Sequence, residues 1–337
     1  MKIVCIFVGI VFGLCAFCTE VCGITFVPPL AVPQSGYCFI QNYVDISPEQ
    51  GGQDYATGSR SFQKHKGTDF RISYAAMLEG VEVLAAADGK VLRTRDGMAD
   101  RYWQASSGDL KGVECGNGVL IDHGDGWHTQ YCHMKEGSVR VHEGDIVAAG
   151  SVLGEVGLSG KTQFAHVHFQ VSKDGQIVCP FLGTTYQHIE DESAGEGEFV
   201  LQDRASLWED ESSAVLQYTS PRLLVTSFSN MLPESINDVL CASGVTEVTA
   251  NDEEPVIFSV VTAMLKKGDR LVIALRTLSG ENLAERNVTV TSYTAQRYDY
   301  VGRLDSVEFV EETLEGIVEL WRGDTRIFMY KSAVFVR

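Results

Sequence analysis

Between residues 38 and 180, apolar side chains come in short alternating runs. Gly- and Asp-rich stretches separate the runs, which is the pattern of many short strands. Residues 81–87 and 90–92 flank Asp88-Gly89 and predict a hairpin, since Asp-Gly suits a tight turn. Residues 119–123 and 127–133 flank Gly124-Asp125-Gly126 and predict a second one. Residues 141–147 and 150–156 continue the series. Residues 93–118 interrupt it and read as an inserted loop, a length that usually serves function or mobility. The loop's Tyr102 and Trp103 suit either of two tasks, walling a groove or packing the loop down.

Past residue 187 the chain gains acids, Ser and Gly, and Gly195-Glu196-Gly197-Glu198 reads as a connection. Residues 203–217 predict one helix with Ala205, Leu207 and Trp208 on its apolar side. Strands return at 223–228, 256–265, 271–276, 288–293, 317–321 and 327–336, with turns at Gly268-Asp269 and Gly323-Asp324. The expected fold class is mainly β. A compact antiparallel domain spans 24–190 with the insert at 93–118, and an acidic connection with a helix spans 191–220. A β-sandwich-like domain, with an immunoglobulin-like form in view, spans 221–337.

The alternation also sorts the polar residues. If 164–171 is a strand, His166, His168 and Gln170 share one face, and Ala165, Val167, Phe169 and Val171 share the other. The apolar face makes core, so the histidines line whatever lies opposite. Four residues apart, His65 and Asp69 share a face in an extended or a helical segment alike. In 127–133 the alternating set is Trp127, Thr129, Tyr131 and His133. Three strings result: His65-Lys66-Gly67-Thr68-Asp69, Tyr131-Cys132-His133 and His166-Val167-His168. They offer four histidines and one aspartate. A hydrolytic zinc ion takes three such ligands and leaves a fourth position to water. Two further histidines suffice for acid–base work. A single histidine on a strand is more often solvated or hydrogen-bonded than a ligand, and His123, His128 and His142 are read that way.

Charge and targeting narrow the partners. The net charge is -18, against a nucleic-acid partner, which would need clustered Lys and Arg. Residues 24–189 hold 13 basic and 18 acidic side chains, and residues 190–337 hold 13 and 26. Lys2 followed by an apolar run over 3–17 reads as a secretory signal peptide, residues 1–23, with cleavage after Gly23 or, as a rival, Cys18. No later segment is apolar for about 18 residues, so no membrane span is expected once the signal is removed. Export leaves Cys38, Cys115, Cys132, Cys179 and Cys241 in an oxidising compartment. Cys115 and Cys132 flank one hairpin and are the first expected pair, and Cys38–Cys179 is the second.

The three strings are followed or joined by Gly89-Lys90-Val91, by the run 116–124 (Gly-Asn-Gly-Val-Leu-Ile-Asp-His-Gly), by the run 144–150, by Gly157-Leu158-Ser159-Gly160 and by Phe169. In this order they resemble the lysostaphin/LytM-type zinc metalloendopeptidases, which cleave peptide bonds of bacterial peptidoglycan. The resemblance covers residues 65–180, well under half the chain. It implies one Zn2+ per chain held by His65, Asp69 and His168, with His133 and His166 acting on the water and the scissile carbonyl. Zinc lowers the pKa of water from about 15.7 toward 7, and histidines with pKa near about 6.5 can move protons at neutrality. The implied function is an exported zinc endopeptidase acting on peptidoglycan peptide cross-links. The expected location is the periplasm of a Gram-negative cell, with the extracellular space as the alternative. Members lacking ligands serve as non-catalytic activators, and all five positions are filled here. The rival function is a catalytically silent regulator that binds a wall hydrolase or wall peptide. Cys132 inside the Tyr-x-His string and the 93–118 insert depart from the family pattern. The C-terminal domain lies outside the resemblance, and a protein partner through it is kept in view.

Overall fold

A computed structural model describes residues 23–34, 36–47, 51–104, 108–185, 205–219, 221–241, 247–249, 255–303 and 312–337. Almost all of the expected signal and the 195–198 connection lie outside these residues. The first half is built from β1 (Cys38–Asn42), β2 (Thr68–Ile72), α1 (Tyr74–Glu79), β3 (Glu82–Leu84), β4 (Gly89–Arg95), β5 (Asn117–Asp122) and β6 (Trp127–Met134). It continues with β7 (Ile146–Val147), β8 (Val152–Glu155), β9 (His166–Lys173), β10 (Gln176–Cys179) and β11 (Thr184–Thr185). The main sheet runs β1-β2-β9-β6-β5-β4-β7, antiparallel throughout. β2 pairs with the first half of β9, and β10 with its second half.

Alternation decides what each strand buries. Val167, Phe169 and Val171 of β9 and Phe70 and Ile72 of β2 enter one apolar core with Tyr131, Ile121 and Val91. A short β3–β8 sheet and the N-terminal Phe26 and Leu30 cover that core. The opposite face of the same strands carries Asp69, Arg71, His166 and His168. The sheet is thus apolar on one side and bears the polar cluster on the other.

The second half has α2 (Ile236–Cys241) and β12 (Arg222–Ser229) through β19. The remaining strands are β13 (Glu247–Val248), β14 (Val256–Leu265), β15 (Asp269–Thr277), β16 (Asn282–Thr289), β17 (Thr294–Arg303), β18 (Glu312–Arg322) and β19 (Thr325–Val336). Two sheets, β12-β14-β17 and β13-β19-β18-β15-β16, close over a shared core that includes Phe258, Leu271, Ile273, Val318 and Leu320. This is the expected β-sandwich-like arrangement. The two halves meet where Phe39 of β1 packs on Ala263 and Met264 of β14, and where Gln41 Nε2 donates to the Ala295 carbonyl at 2.7 Å.

Four expectations are corrected. The hairpin at Asp88-Gly89 does not form, because β3 pairs with β8 while β4 pairs with β5 and β7. Gly89 opens β4, where a Cβ would lie 2.5 Å from the Asp122 carbonyl oxygen, so close packing rather than a turn calls for it. The helix over 203–217 is replaced, within its described part, by an extended segment and a 3-10 turn at Ala214–Leu216. Leu207 accepts from Phe26 N at 2.7 Å and Glu209 N donates back to Phe26. The Asp210 side chain takes Ser212 N, a local bond that competes with helix. The strand placed at 288–293 is really the end of β16 and a turn before β17, because Ser292 and Tyr293 break the pairing. Cys38 and Cys179 are not paired. Cys38 lies opposite Ile72, Cys179 is buried with Val44, Ile46 and Leu182, and burial pushes both thiols up to about 12. The Cys115–Cys132 disulfide forms as expected, with its Cα atoms 4.8 Å apart.

Candidate metal centre

β2 and β9 set Asp69 directly opposite His168 and Arg71 opposite His166. His65 reaches the same point from the loop before β2. His65 Nε2 lies 3.2 Å from Asp69 Oδ1 and 3.2 Å from His168 Nδ1, and His168 Nδ1 lies 2.8 Å from Asp69 Oδ1. One ligand atom from each of the three residues falls within a 4.8 Å span. His65 Nδ1–H donates to the Tyr43 carbonyl at 2.7 Å, which leaves the Nε2 lone pair facing the cluster. Asn42 Nδ2 donates to Asp69 Oδ2 at 2.8 Å and leaves Oδ1 to the centre. Such outer partners orient metal ligands. Gly67 is required for space, since a Cβ there would sit 2.6 Å from His168 Nε2.

Two more histidines stand beside the three. His166 Nε2 is 3.4 Å from Asp69 Oδ1, and its Nδ1–H donates to the Phe164 carbonyl at 2.9 Å. His133 Nδ1–H donates to the Ser159 carbonyl at 2.8 Å, and its ring centroid is 4.7 Å from that of His166. Strict alternation would send His133 into the core with Tyr131. A β-bulge prevents that: Cys132 and His133 together oppose the single residue Gly118, and His133 adopts φ 63°. Its side chain turns to the groove instead. The bulge is held by the Cys115–Cys132 disulfide and by His133 N donating to the Cys115 carbonyl at 2.8 Å. Gly118 has no room for a Cβ, which would lie 2.3 Å from the Tyr131 carbonyl oxygen.

The electrostatics pull in both directions at the centre. Burial alone would raise the Asp69 carboxyl, but His65, His166 and the hydrogen bonds from His166 and His168 hold it well below the usual range. Burial alone would lower His65, yet the Asp69 charge and hydrogen bond outweigh it and the net shift is upward. Burial, reinforced by His166 and His168, pushes His133 well below its ordinary value, so it is neutral at pH 7. Burial also lowers His168, with Asp69 opposing. Two imidazole nitrogens and a carboxylate oxygen, with a groove in front, fit a zinc ion with one open position. The groove encloses about 690 Å³ and is walled by Phe62, Trp103 and Phe164.

All five residues singled out in the sequence therefore meet at one place. His123, His128 and His142 do not. His123 is tied to the Asp88 carbonyl and Thr129, His128 lies beside Asp122, and His142 is exposed beside Asp145. Asn42, the Tyr43 and Ser159 carbonyls, and the buried Arg71 stacked 4.6 Å over Phe164 were not foreseen. Only Arg71 carried a sequence signal, two residues past Asp69 on the same strand face.

An antiparallel sheet thus sets four histidines and an aspartate at the floor of an open groove, a donor set whose chemistry suits hydrolysis. Residues 63–180 match the model of peptidase family M23. Among relatives, the DD-carboxypeptidase/endopeptidase Mpg of Neisseria meningitidis is 33% identical over 114 residues, 32% of this chain and 21% of that protein. The peptidoglycan DD-endopeptidase ShyA of Vibrio cholerae is 31% identical over 114 residues, 34% of this chain and 21% of that protein. The stage II sporulation protein Q of Bacillus subtilis is 29% identical over 134 residues, 38% of this chain and 44% of that protein. The matched stretch spans about a fifth of the length of the first two relatives.

Proposed function

We propose that this chain is an exported zinc endopeptidase that hydrolyses peptide cross-links of peptidoglycan. The convergence of His65 Nε2, Asp69 Oδ1 and His168 Nδ1 carries the reading, with His133 and His166 alongside in an open groove. His65, Asp69 and His168 would hold the ion, which supplies Lewis acidity at the scissile carbonyl and acidifies water. His133 and His166 each present Nε2 to the groove. His133, held neutral by its burial, takes the proton from water at Nε2, and His166, whose Nδ1–H is already engaged by the Phe164 carbonyl, donates from Nε2 to the oxygen that gains charge only once that nitrogen has taken up a proton. The names of the relatives Mpg and ShyA support a DD-type cross-link as substrate.

The second reading is a catalytically silent regulator that binds a wall hydrolase or wall peptide. It is favoured by the acidic second half, with 26 acidic and 13 basic residues over 190–337, and by the similarity to the stage II sporulation protein Q. A digest of purified peptidoglycan by the chain from Ile24 onward, with and without zinc, separates the two. Zinc-dependent loss of cross-linked dimers, read by mass spectrometry, is the expected result. Intact dimers in the presence of one bound zinc would overturn the first reading in favour of the second.

A further inference from the structure

The groove is basic although the chain is acidic. Its lining includes Lys64, Lys66 and Lys161 against Asp69 and Glu114, whereas the whole chain has 45 acidic and 27 basic residues. Asp69 is engaged by three histidines. One carboxylate is then left against three ammonium groups. All three lysines are exposed, and among the described residues none has a carboxylate within 4.0 Å.

Two of the three are held in place. Lys64 has φ 64°, a left-handed conformation uncommon for a residue with a side chain, and its N–H donates to Asp45 Oδ2 at 2.8 Å. The same Asp45 takes Ser47 N and Gln53 N, and its own N–H donates to the His65 carbonyl at 2.9 Å. Lys64 is thereby fixed next to His65 at the mouth of the groove. On the other side, the Lys161 ammonium lies 4.9 Å from the Trp103 ring, and Lys161 N donates to the Glu114 carbonyl at 2.8 Å. Trp103 N donates to the Thr162 carbonyl at 2.7 Å, which ties the inserted loop to the segment leading into His166. The Trp103 indole N–H is buried and has no partner among the described residues.

We infer that Lys64 and Lys161, with Trp103, form a carboxylate-binding subsite beside the metal centre, so that the peptide cut here is one carrying a free acidic group near the scissile bond. The inference rests on the endopeptidase reading for its substrate, but it concerns binding, and binding can be measured apart from turnover. The lysines supply charge and hydrogen-bond donors. Trp103 supplies a flat apolar wall against which the peptide lies. Lys66 adds to the potential at the rim.

The test uses the zinc-loaded chain and cross-linked peptide dimers released from peptidoglycan, either with their carboxylates intact or with the same groups converted to carboxamides. Calorimetry gives the Kd of each, and mass spectrometry gives its rate of cleavage. The native dimer is expected to bind about tenfold more tightly than the amidated one at low salt, the scale of two partly exposed ion pairs. The ratio shrinks as salt is added. In K64Q/K161Q the ratio falls to near one, while zinc content and affinity for the amidated dimer stay at wild-type values. Equal affinities in the wild-type chain overturn the subsite, as does failure to bind either dimer. An unchanged ratio in K64Q/K161Q assigns the discrimination to the metal centre and also overturns it. A normal ratio without cleavage of either dimer upholds the subsite and defeats the endopeptidase reading alone.

Discussion

The two halves of this chain bury polar groups in opposite ways. In the sandwich, buried charges are scattered and each is matched locally: Asp269 is gripped by Arg322 at 2.8 and 3.0 Å, and Asp299 by Arg297 and Arg286. In the first sheet, buried polar residues converge. His65, Asp69, His133 and His166 are all at most 7% exposed and stand around one point. Scattered pairs satisfy a fold. A convergent set with several lone pairs facing one another is costly unless a cation or a reacting group uses it. The difference sets the first half apart as the place of the candidate site without reference to any relative.

The sharpest way to break this contrast is at the convergent set. Asp69→Ala, His65→Ala or His168→Ala is expected to lose both bound zinc and cleavage, measured by metal analysis and dimer digestion. Full activity in zinc-replete H168A would break the ligand assignment. His133→Ala and His166→Ala should keep zinc and lose about 10²- to 10⁴-fold in turnover, the usual range for a general acid or base.

Next comes the bulge. C115S/C132S removes a disulfide spanning 17 residues and should cost about 3 kcal/mol in chemical denaturation. Because the bulge turns His133 into the groove, kcat should fall while zinc content holds. A loss of stability with kcat intact would mean that Gly118 and the Ser159 carbonyl hold His133 without the disulfide.

The sandwich should answer differently. Arg322→Ala leaves a buried Asp269 without its partner and should cost about 2 kcal/mol, below the usual 3–5 for a fully buried pair because the guanidinium is partly exposed. Cleavage and zinc content of the folded protein should not change. A change in either would show that the halves are coupled through the β1–β14 contact.

The smallest effect is expected at the rim of the first core. A hydrogen bond from Lys135 holds the Glu155 carboxyl below its ordinary value, against partial burial and with help from the Lys135 and Arg140 charges. A depressed carboxyl pKa contributes stability above the ordinary glutamate value, and that stability is lost as the pH falls through the lowered one. E155Q should therefore lower Tm modestly at pH 7, at no more than about 1 kcal/mol, and the difference should shrink as the pH falls through the lowered carboxyl value. A larger loss at pH 3 than at pH 7 would reverse the assignment.

Periodicity alone determined a good deal. Two-residue alternation over 164–171 placed Val167, Phe169 and Val171 in the core and His166 and His168 opposite, because a strand cannot do otherwise with that pattern. The 256–265 strand coincides with β14, and the Gly124-Asp125-Gly126 turn sits between β5 and β6 as read. Short-range chemistry also misled. Asp88-Gly89 looked like a turn because sequence cannot show that β8, some 65 residues on, captures β3. The 203–217 segment had helical spacing, but Phe26 pairs with Trp208 across 182 residues and draws it out straight. Tertiary structure decided the rest. It turned His133 against its own alternation through a bulge closed by Cys115, and it brought Asn42 to Asp69. It also set Lys161 over Trp103. Side-chain direction along one strand is a local property and can be read locally. A bulge, a hydrogen-bond partner behind a carboxylate and a groove wall depend on which distant strand lies alongside, and only the folded sheet fixes that.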